Sequence, residues 1–287
     1  MKRLPALVFS LLILLPTSEA FAADLSGTLK KIKDSGTIAI GHRDSAVPFS
    51  FVGADRSPTG YSIDLCRQVV GALQQSLGLP QIQIKWVGVT SESRITAVAG
   101  GRVDLECGST THTLSRQEQV DFSLTTFVDG GSLLVTTASG IKGAGDLAGK
   151  RLAVIAGTTT EKGLADWFRA NNVSGAKVVN VKDHVDGLAG LDGGAFDAFA
   201  SDRVILFGLA ANSKDATKLT LLQEYFSYEP YGLVLRRDPA FRLAVDRALA
   251  GLYRSRGVIP IYEKWFGSIT RATSIIQAMY LLNGLPE

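Results

Sequence analysis

Short apolar runs and longer segments with helical spacing take turns along this chain. TIAIGHR (37–43) is a brief β-rich run. The segment YSIDLCRQVVGALQQSL (61–77) then repeats Ile63, Leu65, Cys66, Val69, Val70 and Leu73 at the spacing of one helix face. QIQIKWVGV (81–89) alternates with period two, SRITAVAGG (93–101) returns to a helical pattern, and VDLECG (103–108) is again a strand. The order β-α-β-α-β predicts a mostly parallel sheet with helices on its faces. It then recurs as strand RLAVIAG (151–157), helix TEKGLADWFRAN (160–171), strand AKVVNV (176–181), helix HVDGLAGLDGG (184–194) and strand FDAFAS (196–201).

Set side by side, GGRVDLECGS (100–109) and GGAFDAFASD (193–202) share a glycine pair, an apolar residue and an aspartate before an apolar strand. A repeat this long is not a solenoid; two similar α/β lobes explain it. LTTFVDGGSLLVT (124–136) is extended and carries a glycine pair, as a connection from lobe to lobe requires, and YFSYEPYGLVLRR (225–237) offers the return. The expected division is residues 23–129 with 232–287 for the first lobe and 130–231 for the second, with a two-segment hinge near 127–132 and 228–232. The helices after 237 pack back on the first lobe, and SIIQAMYLLNGLPE (274–287) reads as a docked tail helix.

Composition narrows the setting. The chain has 287 residues, 46% hydrophobic and 20% charged, enough to bury one large core or two medium ones. A net charge of +3, with no Lys/Arg run interleaved with aromatics, argues against a nucleic-acid track. Lys2 and Arg3 precede the apolar stretch Leu4 to Leu15, and Ala20 and Ala22 suit a cleavage site. Residues 1–22 are therefore expected to be a signal peptide cut after Ala22, leaving a mature chain close to neutral in an extracytoplasmic, oxidising compartment. Cys66 lies on the predicted helix and Cys107 ends a strand; a disulfide and two small core residues both satisfy that pattern. Three scattered histidines and two unclustered cysteines match no metal-ligand spacing.

The strand ends carry the chemistry. Arg43 follows the first strand, Ser91 and Arg94 follow the second, and Ser109, Thr111 and Arg116 follow the third. In the second half Thr158, Thr159 and Thr160, then His184, then Asp202 occupy the equivalent places. Taken singly, a Ser or Thr there is an ordinary helix N-cap and an Arg a solvated charge. Taken together, three arginines and a histidine facing one cleft between lobes predict an anion site, because ligands in such sheets bind outside the carboxyl ends of the strands.

The blocks GHRDSAVPFSF, GYSIDL, VTSESRI, GRVDLECGSTTHTLSRQEQVDFS, AGTTTE, KDH and DAFASDR, in this order, resemble the extracytoplasmic amino-acid-binding proteins of ABC importers, and within them the glutamate/aspartate-binding branch. The resemblance implies a periplasmic-binding-protein fold of two α/β lobes, a monomer that closes on a free amino acid and hands it to a membrane permease, with no cofactor. It further implies that Arg116, helped by Thr111 and Thr159, holds the α-carboxylate, that Asp202 with Ser109 takes the α-ammonium, and that Arg43, Ser91, Arg94 and His184 surround a side-chain carboxylate. Counted against Asp202 alone, three arginines leave a positive excess suited to a dicarboxylic ligand.

Competing readings are an exported enzyme on the same scaffold, similar to cyclohexadienyl dehydratases, and a binder of another polar amino acid such as glutamine. A Ser201/His184/Asp202 triad is disfavoured because neighbouring strand residues point to opposite faces and no G-x-S-x-G elbow is present.

Overall fold

The computed structural model of the protein describes residues 25–267 and 272–287; the expected signal peptide lies outside them. In chain order, α1 (Gly27–Ser35) and β1 (Thr37–His42) lead to three short strands, β2 (Ser45–Ala46), β3 (Ser50–Val52) and β4 (Pro58–Thr59), which pair as a small antiparallel sheet. Then come α2 (Tyr61–Ser76), β5 (Gln83–Gly88), α3 (Ser93–Ala99), β6 (Leu105–Glu106), α4 (Leu114–Gln117) and β7 (Asp121–Asp129). The second half holds β8 (Gly131–Thr136), β9 (Arg151–Ile155), α5 (Thr159–Ala170), β10 (Lys177–Val181), α6 (His184–Asp192), β11 (Ala198–Asp202), α7 (Arg203–Ala211) and β12 (Leu219–Leu221). β13 (Glu229–Leu235), α8 (Pro239–Arg254), α9 (Val258–Phe266) and α10 (Ser274–Asn283) complete the chain.

Two five-stranded sheets result, ordered β5-β1-β6-β13-β7 and β10-β9-β11-β8-β12. In the first, β1 runs parallel to β5 and β6 while β13 is antiparallel to β6 and β7. In the second, β9 is parallel to β10 and β11, and β8 is antiparallel to β11 and β12. Each sheet thus keeps four of its five strands in one direction, which fits the expected two mostly parallel layers. The chain passes from the first sheet to the second between β7 and β8 and returns between β12 and β13.

Burial explains where each run sits. β8, β9, β11 and β13 are almost wholly buried, as strands covered on both faces must be, and their sequences are correspondingly continuous in apolar residues. β5 and β10 lie at sheet edges, and the alternation seen in QIQIKWVGV reflects that half-exposed position. In β10, Val178 and Val179 stay exposed at that edge. On α2 the predicted face, Ile63, Leu65, Cys66, Val69, Val70 and Leu73, is buried throughout. An aromatic cluster of Phe49, Tyr61, Phe127, Tyr231 and Phe266, with ring centroids 4.9–6.2 Å apart, packs where β7 and β13 meet. The tail helix α10 docks there as well, with the Tyr280 hydroxyl 2.7 Å from that of Tyr61.

Some expectations change. VDLECG contributes only two residues to the sheet, because the chain leaves the ladder at Cys107 to build the site. Short β2, β3 and β4 and the one-turn α4 carry too little periodicity to announce themselves.

Cys66 and Cys107 are joined as a disulfide across a sequence separation of 41, tying α2 to the end of β6. Closing a loop of that size removes denatured-state entropy equivalent to about 4 kcal/mol in the chain-entropy model. Reduction, or Cys66→Ser with Cys107→Ser, should lower the thermal midpoint by roughly 5–15 °C. Calorimetry with and without reductant measures it, and an unchanged midpoint would refute the stabilising role.

Candidate functional site

Because helices follow the strands, their first turns converge between the two sheets. Ser91 and Arg94 sit at the start of α3, Thr159 and Thr160 in the first turn of α5, His184 at the start of α6, and Asp202 at the N-cap of α7. Arg43 leaves the end of β1, and Ser109 and Thr111 lie in the segment after β6. These side chains, with Thr158 and Ser201, line one chamber. Its cavity is about 20 Å³, room for about one or two waters.

Eight of the nine residues expected at the site therefore meet: Arg43, Ser91, Arg94, Ser109, Thr111, Thr159, His184 and Asp202. Arg116 lies beside the chamber wall, on α4 rather than at a strand terminus. Its Nη1 donates to the Thr111 carbonyl at 2.7 Å and its Nη2 to the Gly157 carbonyl at 3.4 Å, so it joins the segment after β6 to the turn after β9. Burial, followed by the charge of Arg94, lowers its pKa to about 10. Arg43 falls to about 10 for the same two reasons in the same order. Arg94 is thus the common neighbour of two other guanidinium groups.

Among the described residues no ion pair uses Arg43, Arg94 or Arg116, and no hydrogen bond uses the Arg43 guanidinium. Arg94 Nη1 donates to the Ser109 carbonyl at 3.2 Å, but its buried Nε has no partner. Buried donors in this condition cost about 1–3 kcal/mol each, a penalty that an anionic ligand removes.

The positive excess counted from the sequence needs correction. Two further carboxylates are wholly buried beside the chamber: Glu106 and Glu229. Glu106 Oε2 accepts from Thr110 Oγ1 at 2.8 Å while its Oε1 is unpartnered. A Cβ on Gly108 would collide with that oxygen and come within 3.1 Å of Arg43 Cγ, so glycine lets the two charges share the space under the chamber floor. Three arginines therefore face Asp202, Glu106 and Glu229, and charge placement replaces net excess as the discriminating feature. The sequence signal for both glutamates is weak: Glu106 lies in the mainly apolar run VDLECG, which also carries Asp104, and Glu229 stands at the start of β13, just ahead of the apolar stretch.

Asp202 accepts from Thr160 Oγ1 at 3.0 Å and from the Tyr231 hydroxyl at 2.5 Å. Burial, then the charge of Glu229, pushes its pKa up to about 6. Asp129, half-buried at the end of β7, is pushed up to about 8 by desolvation and then by the charge of Asp202. His184 Nε2 lies 3.3 Å from Ser201 Oγ, and its buried Nδ1 is unpartnered. Burial, with Arg43 and Arg94 adding to it, depresses His184 to about 3, so the ring is neutral at physiological pH. Ser201 and Asp202 both line the chamber, contrary to the opposite-face expectation, because the strand ends there. Asp202 nevertheless bonds Thr160 and Tyr231, and no hydrogen bond among the described residues joins it to His184. His42 contacts its own neighbour's carbonyl and His112 stacks on Phe122, both outside the chamber lining.

A roomier cleft of about 1190 Å³ lies between α8, α9 and α10, lined by Tyr253, Tyr262, Tyr280 and neighbouring residues. It gathers none of the buried charges just described. Convergent charges mark a binding site better than volume does. Among the described residues no cluster of metal-ligating side chains occurs and no helix is long and apolar enough to cross a membrane.

Residues 38–268 match the family model of the bacterial extracellular solute-binding proteins, family 3. The chain belongs to that family. It is 40% identical to the L-glutamate/L-aspartate-binding protein of Pseudomonas aeruginosa, over 93% of this chain and 89% of the relative. It is 36% identical to the glutamate/aspartate import solute-binding protein of Salmonella typhimurium, over 91% and 86% of the two chains. Among solved structures, a periplasmic binding protein from Brucella ovis with glutathione bound superposes with a TM-score of 0.74 at 28% identity, covering 81% of this chain and 73% of that one. The solute-binding fold is thus established, and these two sequence relatives are binding proteins.

The depressed His184 defines a test. Its folded pKa lies below the unfolded value of about 6.5, so its contribution to stability is complete above that value and is lost as pH falls toward about 3. Imidazole NMR should show no His184 titration between about pH 5 and 8, the window in which an unperturbed histidine changes charge. A midpoint near 6.5 would overturn the assignment.

Proposed function

We propose that this solute-binding protein captures L-glutamate or L-aspartate outside the cytoplasm and delivers it to the permease of an ABC importer. The observation that carries the reading is the unpaired Arg43 guanidinium, buried beside the unpartnered Nε of Arg94. Arg43 and Arg94, with Ser91 and His184, form an electropositive end that fits a side-chain carboxylate. Asp202 supplies the negative partner that fits the α-ammonium, and Arg116, beside the chamber wall, takes the α-carboxylate when the walls part. A planar guanidinium offers paired donors that match a carboxylate. The names of the two sequence relatives support the same ligand class. Glutamate and aspartate differ by one methylene, worth about 1–3 kcal/mol in such a pocket.

The small cavity supports a clamp: the sheets part to admit ligand and close over it, moving about residues 127–132 and 228–232. On this reading residues 23–129 with 232–287 move against 130–231, the mature chain starts after Ala22 as a monomer, and the permease recognises the closed form. An acid–base enzyme finds less support, since His184 is held neutral and unpaired with a carboxylate.

Titration calorimetry of the ligand-free protein with glutamate, aspartate, glutamine and arginine tests the assignment. Glutamate or aspartate should bind most tightly; selective binding of glutamine or arginine would reject it. Arg43→Met should weaken glutamate by about 2–4 kcal/mol, roughly 30- to 1000-fold, and glutamine much less. An equal loss for both would remove Arg43 from side-chain recognition.

Asp202 sets the pH dependence. Its pKa of about 6 in the free protein falls when an ammonium binds, so binding below that pH releases a proton. Affinity should decline as pH drops below about 6, approaching tenfold per unit, while glutamate itself stays ionised down to about 4.3. Asp202→Asn should weaken binding and flatten this limb; an unaltered limb would assign it elsewhere.

A further inference from the structure

One buried carboxylate touches both walls of the chamber. Glu229 opens β13, the strand on which the chain returns to the first sheet. Its Oε2 accepts from Thr111 Oγ1 at 2.5 Å and from Thr159 Oγ1 at 2.6 Å. Its Oε1 accepts from Ser227 Oγ at 2.6 Å, and Ser227 in turn accepts from the Gly131 amide at 3.0 Å. Thr111 belongs to the segment after β6 in the first sheet, whereas Thr159 belongs to α5 beside the second. A single oxygen therefore joins the two sides.

Proton accounting gives this contact a consequence. The two threonine oxygens are 3.0 Å apart, and each lies closer to Glu229 than to the other. A carboxylate oxygen offers only lone pairs, so each threonine gives its one hydroxyl hydrogen to Glu229. Both hydroxyls then present lone pairs to the chamber they line together with Asp202. Lone pairs accept from an ammonium and repel a carboxylate, which turns these threonines away from the α-carboxylate role expected of their hydroxyls.

We propose that Glu229 is a positioning residue: by taking the hydroxyl hydrogens of Thr111 and Thr159 it makes them acceptors for the ligand ammonium, and by bonding both it couples that recognition to closure. The inference rests on the reading of the chamber as an amino-acid site. Asp202, the ammonium's charged partner, faces Glu229 and Tyr231 on β13, Asp129 on β7, Thr160 on α5 and Arg94 on α3.

Glutamate affinity of Glu229→Met, Glu229→Gln, Thr159→Val and the Glu229→Met/Thr159→Val pair is measured by calorimetry from pH 5 to 8. Glu229→Met should bind glutamate about 10- to 100-fold more weakly, the range for losing a charge-assisted contact. Adding Thr159→Val to it should cost less than about threefold more, because both changes disrupt one unit. Glu229→Gln keeps an acceptor oxygen and should stay within about threefold of the wild type at neutral pH. It should also move the acid limb to lower pH, since the lost charge had raised Asp202. Additive losses in the double variant, or an unmoved acid limb in Glu229→Gln, would overturn the proposal, and the second readout stands even if Glu229→Met fails to fold. Wild-type protein that binds no amino acid would sink the reading of the chamber; wild-type binding with Glu229→Met undiminished would sink this inference alone.

Discussion

Guanidinium groups removed from water need negative partners, and that requirement organises this molecule. Arg43 and Arg94 are nearly inaccessible, and Arg116 lies close by. Burial first, and then repulsion from the neighbouring Arg94 charge, lowers the pKa values of Arg43 and Arg116. Glu106, Glu229 and Asp202 offset part of the repulsion, each fixed by hydroxyl donors from Thr110, Thr111, Thr159, Thr160 or Tyr231. Among the described residues, the groups left unmatched around the chamber are the Arg43 guanidinium, the Nε of Arg94, the Nδ1 of His184 and the Oε1 of Glu106. On the proposed function the guanidinium donors among them are the groups an anionic ligand satisfies, and selectivity then follows from the same electrostatic constraint that makes the chamber costly to form.

The two crossings make such a chamber possible. β7 and β13 pair along most of their lengths before their neighbours diverge into different sheets, and Phe127 and Tyr231 pack within the aromatic cluster at that point. Tyr231 serves twice, its ring in the cluster and its hydroxyl on Asp202. Gly130 and Gly131 sit at the first crossing, where a side chain would strike Tyr225, Phe226 or Ser227 of the returning segment. Close backbone approach therefore keeps the walls in register, and on the proposed function few residues need to change conformation for the sheets to part. On the proposed function binding and closure share these elements, so a carboxylate on the returning strand is positioned to influence both.

Much of this was legible from the residues alone. The alternation of strand and helix, repeated once, gave two mostly parallel sheets, because period-two and helical spacing are properties of consecutive residues. Strand ends, followed by helix N-termini or by loop segments, brought Arg43, Ser91, Arg94, Ser109, Thr111, Thr159, His184 and Asp202 to one chamber, since a strand that ends at a sheet edge delivers whatever follows it to the same side. The family resemblance, carried by motif blocks in order, is matched by the family assignment.

The tertiary structure decided what depends on partners far apart in sequence. Whether Cys66 and Cys107 pair turned on how α2 packs against β6. The charge balance turned on Glu106 and Glu229, which local patterning marks only as anomalies in apolar strands. Arg116 left the predicted row because α4 reorients it toward the Thr111 and Gly157 carbonyls. Consecutive residues determine periodicity and strand-end chemistry, whereas protonation state and hydroxyl polarity are set by whichever groups three-dimensional packing brings within hydrogen-bonding distance.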